Sequence, residues 1–297
     1  MDWWTDSFLE YLKSERNDSQ LTVEAYANDL AEFQTFMKEQ REDFSWASVE
    51  ADDIREWIIY LLDGQGLSST SVRRKLSALR TFYRYLRRME WTNANPLAKV
   101  DGPKKKSPLP SFVREAEMDD LLEKTTEDRS FEGIRDRLVL MMFYETGIRR
   151  AELLGLTDAS VDLLARQLKV TGKRNKQRLV PFGEELQKEI EGYLNVRNEC
   201  FGPKPTLTFF VTKKGEPMNR MLVTKIVKDN LAQVTTAERK SPHVLRHTFA
   251  TAMLNNHADL SSIQKLLGHE SVATTEIYTH VSFEDLKSAY KNAHPRK

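Results

Sequence analysis

The residues with the clearest capacity for chemistry lie near the carboxyl end, where all six histidines fall in the last fifth of the chain. Ser241 and Pro242 favour the start of a helix, because serine caps helices and proline suits their first turn. His243 and Arg246 then lie three residues apart on one face, near the positive pole of the helix. Such a helix start can bind a phosphate group. Tyr278 follows as a potential nucleophile.

A metal site is the competing interpretation of this segment. His243 and His247 are spaced i,i+4, as in zinc-binding helix pairs. However, no glutamate adjoins His243, and no nearby acidic residue completes a ligand set. We therefore predict neither a metal nor another cofactor, and interpret His247 as a structural residue. The core stripe of the helix is predicted to leave His243 and Arg246 off the core; it consists of Leu245, Phe249, Ala252 and Met253.

Composition limits the class of protein. A chain of 297 residues with 40% hydrophobic residues favours two domains with real cores. The net charge of +1 neither requires nor excludes a nucleic-acid partner. The single cysteine, Cys200, cannot form an internal disulfide, which fits a reducing cytoplasm. We find no signal peptide and no apolar run of the ~18 residues that a membrane span needs, so a cytoplasmic protein is predicted.

The first hundred residues predict a four-helix module. Apolar residues recur every three or four positions in three stretches, and a fourth helix is expected around Phe8. The helix from 68 to 88 is also rich in basic residues, with Glu90 the only acid nearby. A solvated charged face would mix both signs. We therefore predict contacts with the phosphate backbone of DNA by five of its arginines: Arg73, Arg74, Arg80, Arg84 and Arg87.

Residues 93–113 change in character. Prolines and a glycine exclude a helix interior, and predict an extended basic linker between the domains 1–92 and 114–297. Its basic residues are also predicted to contact DNA: Lys104, Lys105 and Lys106.

The second domain reads as mainly helical with one β-hairpin. Helices are predicted at 115–124, 133–146, 184–198, 219–236, 242–255 and 260–267, with a further helix beginning at 148 and a terminal helix at 282–292. The hairpin pairs 167–170 with 178–181 and has a basic tip. Arg149 and Glu152 lie three apart, so the carboxylate could orient the guanidinium or simply pair with it.

The order and spacing of five motifs resemble the tyrosine recombinases, also called the phage-integrase family, and among these the Xer branch. The motifs are Thr146-Gly147-Ile148-Arg149-Arg150-Ala151-Glu152-Leu153, Gly172-Lys173, His243-Val244-Leu245-Arg246-His247, Leu267-Gly268-His269 and Tyr278. The resemblance implies a mostly α fold, in which an N-terminal SAM-like core-binding domain precedes a mainly α catalytic domain with a small antiparallel sheet.

The resemblance also implies roles for single residues. Tyr278 would form a 3′-phosphotyrosyl link, and Arg149 and Arg246 would bind the non-bridging oxygens of the phosphate. Lys173 would protonate the leaving oxygen. His243 would assist proton transfer at the tyrosine, and His269 would bond to the phosphate.

Two positions depart from the family pattern. Relatives commonly have glycine after the lysine of the hairpin, where this chain has Arg174; if that position needs a positive φ, the turn must differ. Lys176 therefore remains an alternative to Lys173 as the acid. Arg150 stands where relatives usually carry a smaller or apolar residue.

The function implied is site-specific DNA recombination through a Holliday junction, independent of metal and ATP. Resolution of chromosome or plasmid dimers is favoured, which places the protein in chromosome partition and cell division. The alternatives are an integrase or invertase of a mobile element, a type IB topoisomerase, and a non-catalytic DNA-binding protein. The expected partners are a double-stranded recombination site, a homo- or hetero-tetramer formed through the terminal helix, and a second recombinase or a DNA translocase.

Overall fold

The computed structural model describes residues 2–104, 112–172, 175–202, 208–268 and 283–296. The chain forms two compact units, residues 1–108 and 109–297, called here the N-terminal and the C-terminal unit. Within the described ranges, no helix combines the length and apolar character that crossing a bilayer requires.

The N-terminal unit contains the predicted four-helix module. Its helices are α1 (Trp3–Ser14), α2 (Gln20–Gln40), α3 (Ala51–Ile59) and α4 (Ser69–Arg88), with a 3₁₀ turn at Trp46–Ser48 and a π-helical turn at Tyr60–Gly64. Serine caps begin two of the long helices. The side chain of Ser19 accepts from the backbone N–H of Thr22, and that of Ser68 from the N–H of Ser71.

Large aromatic side chains fill the core of the N-terminal unit. Trp57 packs edge-to-face on Phe33, and Trp46 packs in the same way on Phe82. Leu97 and Val100 are buried in this core. The N-terminal unit thus includes residues that composition alone assigns to the linker.

Among its described residues, the C-terminal unit has eight α-helices, a 3₁₀ turn at Asp158–Ser160 and a small sheet. The helices are α5 (Glu115–Lys124), α6 (Phe131–Thr146), α7 (Arg150–Leu154), α8 (Glu184–Phe201), α9 (Arg220–Leu231), α10 (Pro242–Asn255), α11 (Leu260–Leu267) and α12 (Phe283–Ala293). The strands β1 (Val161–Asp162), β2 (Gln167–Thr171) and β3 (Gln177–Pro181) are antiparallel in the order β1-β2-β3. The predicted mainly α fold with a small antiparallel sheet is confirmed.

Helix α6 lies in the middle of this unit and positions the elements around it. Every residue from Leu138 to Thr146 is buried, which matches its nearly unbroken apolar sequence. It packs against α8 on one side and α10 on another. A helix that is apolar all round belongs in a core.

Several predicted boundaries differ from the structure by one or two residues, and two differ by three or more. Helix α9 ends at Leu231, five residues before the predicted end at 236, and α8 continues to Phe201. Strand β1 was not predicted, because two residues are too short to show an alternating pattern.

Helix α12 packs on its own domain. Tyr290 and Ala293 are buried in a cluster with Phe249 and Met253 of α10. His294, just beyond the helix, stacks on Tyr290 and is 1% exposed. Tyr290, Ala293 and His294 are therefore part of the core.

Candidate active site

The turn that ends α6 places Arg149. Gly147 has a φ of 60°, and a Cβ atom there would lie 2.5 Å from Phe249, so this position requires glycine. Arg149 is the N-cap residue of α7. Its Nη1 donates to Oε1 of Glu152 at 2.9 Å, and its Nη2 donates to the carbonyl oxygen of Gly268 at 2.7 Å. With 34% of the side chain exposed, it can still bind a ligand.

Arg246 lies in the core, which corrects the prediction that it stands off the core. It is 8% exposed, one turn inside α10. Its Nη1 donates to the carbonyl oxygen of Gly147, and its Nη2 to that of Leu267 at 2.6 Å. Burial lowers the pKa of Arg246 to about 10, and the positive charge of Arg149 adds to this effect. The guanidinium therefore stays charged at neutral pH.

The end of α11 brings the two arginines together. Gly268, with a φ of 62°, ends this helix, as predicted. Its carbonyl oxygen binds Arg149, and the preceding one, of Leu267, binds Arg246. Neighbouring acceptors hold the two guanidinium groups side by side, an arrangement suited to the non-bridging oxygens of one phosphate.

Glu152 orients Arg149 and also binds Arg178, which is not among the predicted site residues. Glu152 is 3% exposed. Arg178 donates to both of its carboxylate oxygens, at 2.6 and 2.9 Å. Burial alone would raise the pKa of Glu152, but the hydrogen bonds from Arg178 and Arg149 lower it. The missed signal is strand alternation, which places Arg178 on the same face of β3 as the buried Val180.

His243 lies at the start of α10 with an exposed side chain. Although the side chain reaches solvent, the protein atoms around the imidazole remove part of its hydration and lower its pKa, and the positive charges of Arg150 and Arg246 lower it further. A neutral imidazole at neutral pH can accept a proton. The structure also gives an account of Arg150, whose Nη1 donates to Oγ1 of Thr224 on α9 at 2.6 Å.

His247 is exposed one turn further along α10. Across the described ranges, no group of three or more histidine, cysteine, aspartate or glutamate side chains could hold a metal ion. The i,i+4 histidine pair thus lacks further ligands among these residues.

The hairpin tip is described only in part. Asn175 has a φ of 59°, a left-handed conformation that asparagine tolerates, and the N–H of Gly172 donates to the carbonyl oxygen of Lys176 at 2.8 Å. Several predicted site residues lie outside the described residues: Lys105, Lys106, Lys173, His269 and Tyr278. Position 174, where relatives commonly have glycine, lies outside them too.

A cleft of about 780 Å³ runs between the hairpin and the end of α11. Its described lining contains four basic side chains and no acidic one: Arg149, Lys176, Arg178 and Lys265. Such a lining attracts an anionic ligand.

In the N-terminal unit, α4 divides its basic residues between two kinds of environment. Arg74 donates through both Nη atoms to the buried Asp29, and Lys75 forms ion pairs with Asp29 and Glu32. In the sequence, Glu90 is the only acid near this helix, because Asp29 and Glu32 lie on α2, more than 40 residues away.

The other predicted arginines of α4 have no acidic partner among the described residues. Arg73 and Arg80 donate to the backbone carbonyls of Pro103 and Val100. Arg84 and Arg87 are exposed, and with Arg80 they line a surface cavity. We call Arg73, Arg80, Arg84 and Arg87 the α4 arginine surface.

Two family models match the chain. The model described as "Phage integrase family" matches residues 111–285, and "Phage integrase, N-terminal SAM-like domain" matches residues 5–90. Among curated proteins, "Tyrosine recombinase XerC" of Chlorobaculum parvum is 40% identical and aligns over 98% of this chain and 94% of its own length. XerC of Staphylococcus epidermidis is also 40% identical, and its alignment covers 100% of this chain and 98% of that protein.

Solved structures show the same fold. The chain in the crystal structure of XerA recombinase is 28% identical in sequence to this one. The alignment covers 99% of this chain and 99% of that chain, with a TM-score of 0.50. The Tn1549 transposon integrase in complex with circular intermediate DNA is 18% identical, covers 96% of this chain and 98% of its own, and has a TM-score of 0.71.

Proposed function

This chain belongs to the phage integrase family of tyrosine recombinases and is a site-specific DNA recombinase, and we propose that it cuts and rejoins strands through a 3′-phosphotyrosyl intermediate and a Holliday junction. The observation that carries this mechanism is the placement of Arg149 and Arg246 on adjacent carbonyl oxygens at the end of α11. Full-length similarity to proteins named XerC supports resolution of chromosome or plasmid dimers, rather than integration or inversion of a mobile element.

In the cleavage step, Oη of Tyr278 forms a bond to the phosphorus, and the bond from phosphorus to O5′ breaks. The phenol proton passes to His243, and Lys173 gives a proton to O5′, which leaves as a hydroxyl. His269 bonds to the phosphate. Rejoining reverses the step: a 5′-hydroxyl attacks the phosphotyrosine and releases Tyr278. One phosphodiester is exchanged for another, so no ATP is consumed.

The arginine pair would supply most of the catalytic electrostatics. Negative charge spreads over the equatorial oxygens of the phosphorus in the transition state, and fixed cations lower the energy of that state. Arg149 and Arg246 are already fixed by backbone carbonyls and by Glu152, so they need little reorganisation when the substrate binds. Two arginines can thus provide the charge that metal ions provide in other phosphoryl transferases.

The α4 arginine surface would bind the DNA backbone. Its guanidinium groups have no acidic partner in the described residues, so phosphate groups can approach them without displacing an ion pair. Lys104, Lys105 and Lys106 would extend this contact along the linker. Arg74 would contribute less, since Asp29 already neutralises it.

Assembly would use α12. We propose that in a tetramer on DNA this helix leaves Phe249 and Met253 of its own chain and packs on a neighbouring protomer, which is the same chain or a second recombinase; a DNA translocase could control the exchange. Sedimentation of the full chain and of a chain ending at residue 282, each with site DNA, tests this. A tetramer that forms equally well without α12 contradicts it.

A covalent-adduct experiment tests the chemistry. Genomic DNA crosslinked through Tyr278 first identifies the site, and a nicked duplex of that site then serves as the suicide substrate, in EDTA and without ATP. We expect a protein–DNA adduct with the native chain and none with Tyr278→Phe. An adduct that persists in Tyr278→Phe, or no adduct with the native chain, overturns the proposal. Activity lost only in EDTA favours the metal interpretation of His243 and His247.

A further inference from the structure

Three consecutive carbonyl oxygens at the end of α11 bind three different arginines. Two of these arginines are the proposed phosphate ligands, and the third comes from β3. The hydrogen bonds are Arg178 Nε to Leu266 O at 2.8 Å, Arg246 Nη2 to Leu267 O at 2.6 Å, and Arg149 Nη2 to Gly268 O at 2.7 Å.

The end of a helix suits this arrangement. The last carbonyl groups of a helix have no partner within it and carry the negative end of its dipole, so they favour cations. Gly268 leaves room for the third arginine: a Cβ atom there would lie 3.0 Å from Nη1 of Arg178. The spacing of these carbonyls therefore sets the spacing of the guanidinium groups.

Arg178 differs from Arg149 in how fully its donors are used. All three of its guanidinium nitrogens donate within the protein: Nε to Leu266, and Nη1 and Nη2 to Glu152. Its side chain is 16% exposed, against 34% for Arg149. Arg178 is therefore built into the site and has little left to offer a substrate.

The positive charge of Arg178 balances the negative charge of the buried Glu152. Glu152 is a buried carboxylate, which is unfavourable unless it is paired. Arg149 and Arg178 both pair with this carboxylate, so the group of three side chains has a net charge of +1, which is available to attract an anionic ligand. Without Arg178, Glu152 would be paired with Arg149 alone. That pair is neutral, and its attraction would draw the guanidinium away from the phosphate.

We propose that Arg178 is a positioning residue for DNA cleavage: it neutralises Glu152 and bridges it to Leu266, so that Arg149 keeps its charge and its place for the scissile phosphate. This inference rests on the proposed function. It assigns Arg178 no contact with DNA.

A second-site rescue experiment on the suicide substrate tests the proposal. With Arg178→Ala we expect the single-turnover rate of adduct formation to fall roughly 10- to 100-fold, since a misplacement of a catalytic group by about 1 Å can cost about 100-fold in rate. The Kd for site DNA should change little. Glu152→Gln in the Arg178→Ala background should restore part of the rate, because the uncompensated charge is gone.

Two further variants separate positioning from general stability. Arg178→Lys keeps the charge but loses the bidentate bond to Glu152. We expect this variant to fold normally, as measured by its thermal unfolding temperature, and to cleave at a rate between those of the native chain and Arg178→Ala. The matched control is Arg166→Ala, which removes another arginine next to β2, bonded to Gln187, and should cleave as the native chain does.

The outcomes are distinguishable. If the native chain forms no adduct, the proposed function fails. If it does, and Glu152→Gln deepens the defect of Arg178→Ala, Arg178 is only structural. If Arg178→Lys cleaves at the native rate, charge alone suffices and the bonds of Arg178 to Glu152 and Leu266 do not position Arg149. If Arg178→Ala weakens DNA binding as much as it slows cleavage, Arg178 is a DNA contact. Each of these last results overturns the positioning role.

Discussion

The chain uses arginine in two contrasting ways, at the end of α11 and on α4. At the end of α11, every guanidinium is fixed by carbonyl oxygens or by Glu152, and Arg246 is 8% exposed. On α4, Arg84 and Arg87 project from the surface with no acidic partner among the described residues. Fixed charge lowers a transition-state barrier, whereas mobile surface charge attracts a polyanion without fixing its atoms. Under the proposed function, this difference separates the arginines that act in the chemistry from those that give affinity for DNA.

The largest effect is expected from Arg246→Ala. Loss of a preplaced cation should reduce adduct formation roughly 100- to 1000-fold, because the transition-state charge loses its partner. Single-turnover cleavage with saturating DNA measures this rate. Arg84→Ala is the matched control and should cleave normally at saturation. If Arg246→Ala and Arg84→Ala lose the same fraction of the cleavage rate, the two regions do not differ in function.

Gly268→Ala should have the next largest effect. A residue with a side chain in this left-handed conformation costs about 1–2 kcal/mol of stability, and its Cβ atom presses on Arg178. We expect a lower free energy of unfolding in urea and cleavage that is roughly 10- to 100-fold slower, since a misplacement of about 1 Å can cost about 100-fold in rate. The control, Gly192→Ala, lies in α8 with open space around it and should stabilise by about 0.5–1 kcal/mol. Native-rate cleavage by Gly268→Ala would show that the end of α11 does not position the arginines.

Arg84→Ala and Arg87→Ala should weaken DNA binding in a salt-dependent way. Each lost phosphate contact reduces the slope of log K against log salt by about 0.9. Titrations at several salt concentrations measure the slope. Arg74→Ala is the informative comparison: because Asp29 pairs with Arg74, we expect lower stability with a nearly unchanged slope. An equal change in slope would place Arg74 on the DNA surface after all.

The smallest expected effect is a shift in the pH dependence of the cleavage rate in Arg150→Gln. The pKa of His243 lies below its usual value, in part because of the positive charge of Arg150. Removing that charge makes protonation easier, so the pKa rises and cleavage is lost at a higher pH as the solution is acidified. Arg150→Lys keeps the charge and should leave the acid limb of the pH–rate profile in place. An unmoved limb in Arg150→Gln would show that His243 does not accept the proton.

Much of the fold could be read from the sequence because the signals are local. Helices α5, α10 and α11 have the predicted boundaries, and Gly147 and Gly268 end helices as expected. Caps, apolar periodicity and left-handed glycines act over a few residues. The motifs also predict Arg149, His243 and Arg246, and the structure places Arg149 and Arg246 on neighbouring carbonyl oxygens. The catalytic roles of these three residues, like those of Lys173, His269 and Tyr278, stay predictions.

Only the tertiary structure decided which charges meet. The sequence shows Arg74 and Arg84 as equivalent members of one basic helix, yet α2 neutralises the first and leaves the second exposed. It shows Arg178 as an ordinary strand residue, whereas Glu152, 26 positions away, makes it part of the site. Ion pairs between distant segments depend on how helices and strands pack. The periodicity of one segment does not show which other segment will pack against it. The sequence therefore determined the elements and the reactive residue types, and packing determined which arginines remain available to DNA.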